Sequence, residues 1–332
     1  MISEIILKEF NAKNVLVTGG SGLIGRQVVE LLACANACIR SVSLDRIIVN
    51  AKADNIVGDL VNMDFCKEIV RDMDYIFHLA GIQGTVQTSS SKMASHFVPT
   101  LMMNTNLLEA ARLSKVKKLV YTSSIGAYAE NSILRESDYK VESVPMSFAG
   151  WAKRMAELQI YSYKVQYGID TFSIVRLSNI YGPGDNFNPE TAMVIPALMQ
   201  RIFNGEDPLV VWGDGTVVRD FLYSRDAAEG ILLALHHGTA GDFVNIGSGK
   251  GHSIRDIITA MQSFINFNYV FDAAKPSGAP MRIMDISKAA NLLGFIPSTD
   301  LATGLKHTWE WFMDHSGEYK NKMNYFLPES DS

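Results

Sequence analysis

The segment Val15-Leu16-Val17-Thr18-Gly19-Gly20-Ser21-Gly22-Leu23-Ile24-Gly25 constrains this chain more than any other. An apolar run ends in glycines spaced three apart (Gly19, Gly22, Gly25), and a helical pattern follows. In that setting the first glycine permits a tight turn, the second lets main chain approach a pyrophosphate, and the third lets helix and strand pack closely. The start of the helix then offers free N–H groups and partial positive charge to phosphates. A plain strand–helix turn needs no such triplet. The expectation is dinucleotide binding, with Gly19, Gly22, Leu23, Ile24 and Gly25 at the cofactor.

Asp45 follows Gly25 by twenty residues, at the end of the second strand candidate. A carboxylate there accepts hydrogen bonds from both ribose hydroxyls and repels a 2′-phosphate, which favours NAD over NADP. Arg46 beside it softens that choice, and a solvated turn is the alternative for Asp45. Gly58-Asp59-Leu60 closes the next strand and puts Asp59 within reach of the adenine amine.

Short apolar runs alternate with helical periodicity through the first half. Strands are expected over 14–18, 41–44, 56–57, 75–79, 118–122 and 171–177, and helices over 23–35, 102–113 and 151–167. That rhythm predicts an α/β fold: a doubly wound parallel sheet of the Rossmann type, covered on both faces. After Tyr181 the turn Gly182-Pro183-Gly184-Asp185 breaks the rhythm, and a smaller mixed α/β lobe is expected. The division read is 12–184, with 220–248 returning to it, against 185–219 and 249–330.

The 332 residues are 47% hydrophobic and 20% charged, enough to bury a real core, and the net charge of −5 gives no basis for nucleic-acid or membrane partners. The N-terminus carries Glu4, Lys8, Glu9 and Lys13, without the apolar run of a secretion signal, so the expected compartment is the cytoplasm. Cys34 and Cys38, four apart on the expected helix, and Cys66 read as buried reduced thiols. No histidine completes a metal set, so no metal is expected.

Beyond the glycines, His78-Leu79-Ala80-Gly81, Tyr121-Thr122-Ser123-Ser124 and Tyr181-Gly182-Pro183-Gly184 follow in order. Together these motifs resemble the extended short-chain dehydrogenase/reductase superfamily, in its nucleotide-sugar branch, over nearly the whole chain. The second half is most similar to GDP-fucose synthases, through Asp185-Asn186-Phe187-Asn188-Pro189-Glu190, Val194-Ile195-Pro196-Ala197-Leu198, Val211-Trp212-Gly213-Asp214-Gly215-Thr216 and Lys275-Pro276-Ser277-Gly278. The resemblance adds Leu79 and Ala80 to the cofactor site. It also implies a Ser or Thr, a Tyr, and a Lys one helical turn after the Tyr, whose charge makes the phenol a base near neutral pH. Ser124 and Lys153 stand at two of those positions, with Lys153 also at the cofactor. The third position is Ala149, which can move no proton. Ala149 reads either as a Tyr→Ala replacement made to hold substrate without turnover, or as the residue of a homologue that abandoned the reaction.

Other family groups are absent too. The Cys and His of GDP-fucose synthases fall on Gly126 and Met193, the acidic pair of 4,6-dehydratases on Ile125 and Gly126, and the asparagine of the central helix on Thr100. What the resemblance leaves is hydride chemistry at carbon 4 by an NAD-dependent 4-dehydrogenase or 4-epimerase. The alternatives are an NADP(H)-dependent 4-keto-sugar reductase of the GDP-fucose synthase type, or a non-catalytic NAD-binding protein. The resemblance places Gln83, Ser124, Asn179, Val194, Trp212, Arg219 and Arg282 at a nucleotide-sugar substrate, GDP-linked in the first place. It also implies a homodimer through helices 102–113 and 151–167, with Met102, Leu107, Leu108, Met155, Leu158 and Ile160 as a candidate apolar stripe.

Overall fold

A computed structural model describes residues 4–82, 84, 91–275 and 278–323. Seven parallel strands form the main sheet: β1 (Asn14–Thr18), β2 (Cys38–Ser43), β3 (Asp54–Val57), β4 (Tyr75–His78), β5 (Lys118–Ser124), β7 (Phe172–Leu177) and β11 (Phe243–Ile246). Their spatial order is β11-β7-β5-β4-β1-β2-β3. Strand order reverses between β1 and β4, so the chain leaves these neighbours in opposite directions and opens a crevice at their carboxyl ends. That is where open α/β sheets bind ligands.

Both faces of the sheet are covered, which is why its central strands are largely apolar, whereas β2 carries Arg40, Ser41 and Ser43 and the edge strand β3 carries Asp54 and Asn55. On one face lie α1 (Glu4–Glu9), α2 (Leu23–Cys34), α7 (Ser224–His237) and α9 (Ser287–Leu293), with Val28, Leu32, Ile231, Leu235 and Leu293 in the core. On the other lie α3 (Met63–Ile69), α4 (Met93–Leu113) and α5 (Phe148–Tyr167), with Ile69, Leu107, Leu108 and Ile160 buried. Three residues expected in a dimer stripe, Leu107, Leu108 and Ile160, are thus core residues.

The smaller lobe is built around β10 (Val218–Tyr223). It pairs antiparallel with β12 (Gly251–Ser253) and parallel with β8 (Asn179–Tyr181) and β14 (Met281–Met284), and β14 pairs with β6 (Ile133–Leu134). A separate parallel pair joins β9 (Leu209–Trp212) to β13 (Tyr269–Asp272). α6 (Val194–Phe203), α8 (Ile254–Gln262) and α10 (Leu301–Asp314) complete the lobe, with Phe187 stacked on Phe312 at 4.1 Å between ring centres.

Two helices start earlier than periodicity predicts. α4 begins at Met93 and runs through Pro99. α5 begins at Phe148, because Ser147 caps it by accepting from the Gly150 N–H at 3.1 Å. Ala149 therefore lies in its first turn. The cysteine reading is corrected: Cys34 ends α2 and Cys38 opens β2, so they share no helix face, and both are exposed. Cys66 alone is buried, its thiol pushed up to about 12 by burial.

Gly150 faces the loop after β5 at extreme proximity. A Cβ there would sit 1.9 Å from the Gly126 carbonyl oxygen. Gly150→Ala must push α5 away from that loop and is expected to cost about 1–3 kcal/mol in urea unfolding; an unchanged midpoint would contradict the tight contact.

Candidate active site

The crevice at the switch point holds a cavity of about 210 Å³. Gly19, Gly22 and Leu23 form one wall, Asp45, Asp59 and Leu60 a second, and Ala80 and Gly81 a third. Gly19 has φ +70°, and a Cβ on it would lie 2.9 Å from the Ala80 main chain. A Cβ on Gly25 would lie 2.0 Å from the Gly19 carbonyl oxygen, whereas one on Gly22 would meet only that oxygen, at 3.1 Å. The tight turn, the close helix–strand packing and the bare main chain facing the cavity thus fall on three different glycines. These residues fit a dinucleotide: the start of α2 aims its free N–H groups at the space a diphosphate would fill.

Asp45 keeps a carboxylate in the cavity wall, accepting from the Ser21 hydroxyl at 3.0 Å and from the Met323 amide at 2.5 Å. Asp59 accepts from the Val61 N–H at 2.9 Å. Ile24 and Leu79 pack against the core on the α2 face of the sheet, so their main chain is what they can offer a cofactor. Arg46 is exposed and stands outside the cavity lining.

Ser124 ends β5 and caps a 3₁₀ turn, its Oγ accepting from the Gly126 N–H at 3.1 Å. Lys153, on α5, donates from Nζ to the Thr122 carbonyl at 2.8 Å, and a Cβ on Gly81 would sit 3.4 Å from that Nζ. Gly81 lines the cavity and Lys153 lies directly behind it; Lys153, Ser124 and Ala149 are not themselves among the lining residues. Burial pushes the ammonium down to about 8, against the opposing pull of the Glu157 carboxylate. Glu157 is itself committed: it forks with buried Arg176 at 2.9 and 2.6 Å and accepts from the Ser123 hydroxyl. Ala149 sits one turn before Lys153 and offers a methyl group.

Neither nearby tyrosine replaces the missing phenol. Tyr121 is buried, accepts from the Asn104 amide at 3.0 Å, and burial raises its pKa far above the usual phenol range. Tyr128 donates to Asn245 at 2.8 Å beneath the Arg176 guanidinium.

Sequence reasoning missed the group that ties these strands together. His78, fully buried at the end of β4, bonds Thr18 Oγ1 at 2.9 Å through Nδ1 and Asn104 Oδ1 at 3.0 Å through Nε2. A polar residue closing an otherwise apolar strand was the available signal. Thr100, on the same helix as Asn104, is buried with a hydroxyl that has no hydrogen-bond partner among the described residues.

In the smaller lobe, Arg219 on β10 and Arg282 on β14 are register partners. Glu130 forks onto Arg282 at 2.7 and 2.6 Å. Arg219 donates to the Val218 carbonyl at 2.8 Å, and burial followed by the charge of Arg282 lowers its pKa. Trp212 is 58% exposed, with Lys275 Nζ 5.6 Å from its ring centre. Asn179 spends its side-chain N–H on the Asp220 carbonyl at 2.9 Å. Val194 opens α6 and packs on the core of the smaller lobe around Phe187 and Phe312, and Gln83 lies outside the described residues. Among the described residues no cluster of His, Cys, Asp and Glu could hold a metal, and no helix is long and apolar enough to cross a membrane.

Sheet, crevice and glycine loop define a Rossmann-type protein with a dinucleotide-shaped site. The model of the NAD dependent epimerase/dehydratase family matches residues 15–247, and the chain belongs to that family. It is 30% identical to GDP-L-fucose synthase 1 of Arabidopsis thaliana over 94% of this chain and 96% of that one. It is equally 30% identical to a putative UDP-glucose 4-epimerase of Methanocaldococcus jannaschii, over 91% and 99%. Among solved structures, the UDP-glucuronic acid 4-epimerase of Bacillus cereus in complex with UDP-glucuronic acid and NAD superposes with a TM-score of 0.76 at 26% identity, covering 91% of this chain and 99% of that one.

Burial pushes His78 down to about 3, with the charge of Lys153 adding to the effect. An unfolded histidine takes up its proton near pH 6.5, so between about 6.5 and 3 the unfolded chain binds more protons. Stability should therefore fall as pH drops through that window, by up to about 1.4 kcal/mol per pH unit from this residue. His78→Asn should make the loss shallower in urea titrations at successive pH values; an unaltered slope would contradict a neutral buried imidazole.

Proposed function

We propose that the chain binds NAD and a nucleotide-linked sugar, GDP-linked in the first place, at a site for 4-epimerisation or 4-oxidation that lacks one phenol. The observation that carries this reading is Lys153 directly behind Gly81 of the cavity wall, with Ala149 one turn before it on α5. When bound, the nicotinamide supplies the hydride acceptor. The Gly22 N–H is spent on the Gly19 carbonyl at 3.0 Å, so the N–H groups of Leu23 and Ile24 take the diphosphate, and Asp45 takes the adenosine ribose. Lys153 donates to the nicotinamide ribose, and Ser124 holds the oxygen on carbon 4. No side chain at position 149 receives that oxygen's proton.

Asp45 supports NAD over NADP, because a carboxylate at the ribose repels a second phosphate. The bare positions Ile125, Gly126 and Met193 support chemistry confined to carbon 4, since neither water elimination nor epimerisation at carbons 3 and 5 proceeds without proton carriers. Arg219 and Arg282 supply two planar forks for a nucleotide diphosphate once Glu130 releases the second. The relatedness to a GDP-L-fucose synthase supports the guanine nucleotide. α4 and α5 remain the proposed dimer surface, through the exposed face that includes Met102, 41% exposed.

Ala149→Tyr should raise turnover by about 10²–10⁴, the usual worth of a positioned acid/base, read as reduced nicotinamide absorbance or as sugar product by NMR. A revertant silent toward GDP-, UDP-, CDP- and dTDP-sugars that still binds NAD would make this chain a non-catalytic NAD-binding protein.

A further inference from the structure

The cavity wall opposite the glycine loop is not contributed by the sheet. It comes from the 3₁₀ turn Glu318–Asn321 and the two residues after it, through Tyr319, Lys322 and Met323. This segment is pinned at several points. Glu318 pairs with Arg26, whose guanidinium also lies 4.9 Å from the Trp311 ring centre on α10. Lys322 Nζ donates to the main-chain carbonyls of Gly184 at 2.5 Å and Asp185 at 3.3 Å. The Met323 amide donates to Asp45, the carboxylate assigned to the adenosine ribose. Arg26 follows the last glycine of the motif, and Gly184 belongs to the turn after β8, so the segment ties both lobes across the mouth of the crevice.

We propose that the segment Glu318–Met323 is a clasp over the dinucleotide, in which Lys322 is a ligand of the cofactor diphosphate and the Met323 amide orients Asp45 for the ribose. The inference rests on the reading of the cavity as an NAD site. Lys322 is half-buried in a wall that faces the same space as the glycine loop, and that space is also lined by the carboxylates of Asp45 and Asp59. Desolvation, with Arg26 close by, lowers its pKa, so an anion arriving in the cavity meets an ammonium that gains from being neutralised. A diphosphate is such an anion. Its oxygens accept charge-assisted bonds while Lys322 keeps its carbonyl partners, since an ammonium has three donors. Because Arg26, Asp45 and Gly184 already hold the segment, ordering it costs the complex little.

The clasp bears on the direction of the chemistry. A dehydrogenase must exchange its nicotinamide at every turnover. An epimerase oxidises and re-reduces the sugar with one and the same cofactor, and gains from not releasing it. A segment fastened across the cofactor's mouth suits the second regime, so the clasp favours 4-epimerisation over net 4-oxidation.

The test is the dissociation rate of NADH from the full-length protein, followed by fluorescence while excess NAD displaces it, at several salt concentrations. Lys322→Met, which keeps the stem and removes the charge, should speed release about tenfold, the loss of one charge-assisted hydrogen bond, and flatten the salt dependence. Lys322→Arg should stay near the parent rate. Release from Lys322→Met at the parent rate and parent salt dependence would overturn the clasp while leaving the NAD site intact. A parent protein that binds neither NAD nor NADH would overturn the cofactor reading itself, and the clasp with it.

Discussion

No Cβ fits between the start of α2 and the turn after β1, nor between the start of α5 and the loop after β5. Gly25 against Gly19 and Gly150 against Gly126 are main-chain contacts in which a methyl group would come within about 2 Å of a carbonyl oxygen. Each contact presses a helix start onto the carboxyl end of a strand. The first brings N–H groups to the place for a diphosphate. The second brings Ala149 and Lys153 to the level of Ser124. Both halves of the site therefore depend on the same constraint, and on the parallel register that sets β1, β4 and β5 side by side.

Charge around Lys153 is arranged with similar economy. Its ammonium hangs on a carbonyl, while the nearest carboxylate, Glu157, is bound to Arg176. A lysine without its own counter-ion keeps its field available for whatever stands in the cavity. The proposed function puts a sugar and a nicotinamide there, with Ala149 one turn before the lysine. Arg176 also lies beneath Tyr128 and Phe243, so the pair that neutralises Glu157 is built into the core rather than the site. Removing Arg176 alone would leave a buried carboxylate next to Lys153 and disturb both.

The Rossmann sheet was legible in the sequence through its short apolar central strands, with β1 on 14–18 as expected, whereas the polar β2 and β3 start earlier than the expected 41–44 and 56–57, and β11 was not among the expected strands. The glycine turn was legible because the close contact of Gly25 with Gly19 leaves no room for a Cβ, and Asp45 does line the crevice, while the roles given to Asp45 and Lys153 stay proposals. The early starts of α4 and α5 were not, since Pro99 and Gly150 break the local pattern and only the Ser147 cap and tertiary packing override them. The hub at His78 was hidden for another reason: its partners Thr18, Asn104 and Tyr121 are scattered along the chain and meet only after folding. The same holds for Lys322 and Met323, which reach the cavity from some three hundred residues beyond the glycines. Arg282 was placed at the substrate by resemblance, and its engagement by Glu130 is a contact that spacing alone does not announce.

In the proposed reading, the chain keeps its glycine loop, a carboxylate at the ribose position and the lysine of α5, and carries Ala149 where the family resemblance places a tyrosine. The most direct measurement is to denature the purified full-length protein and identify the released small molecules by mass spectrometry. The account predicts NAD or NADH at close to one per chain. A protein that releases no dinucleotide and takes up none when NAD is supplied, or one that releases NADP instead, would contradict it.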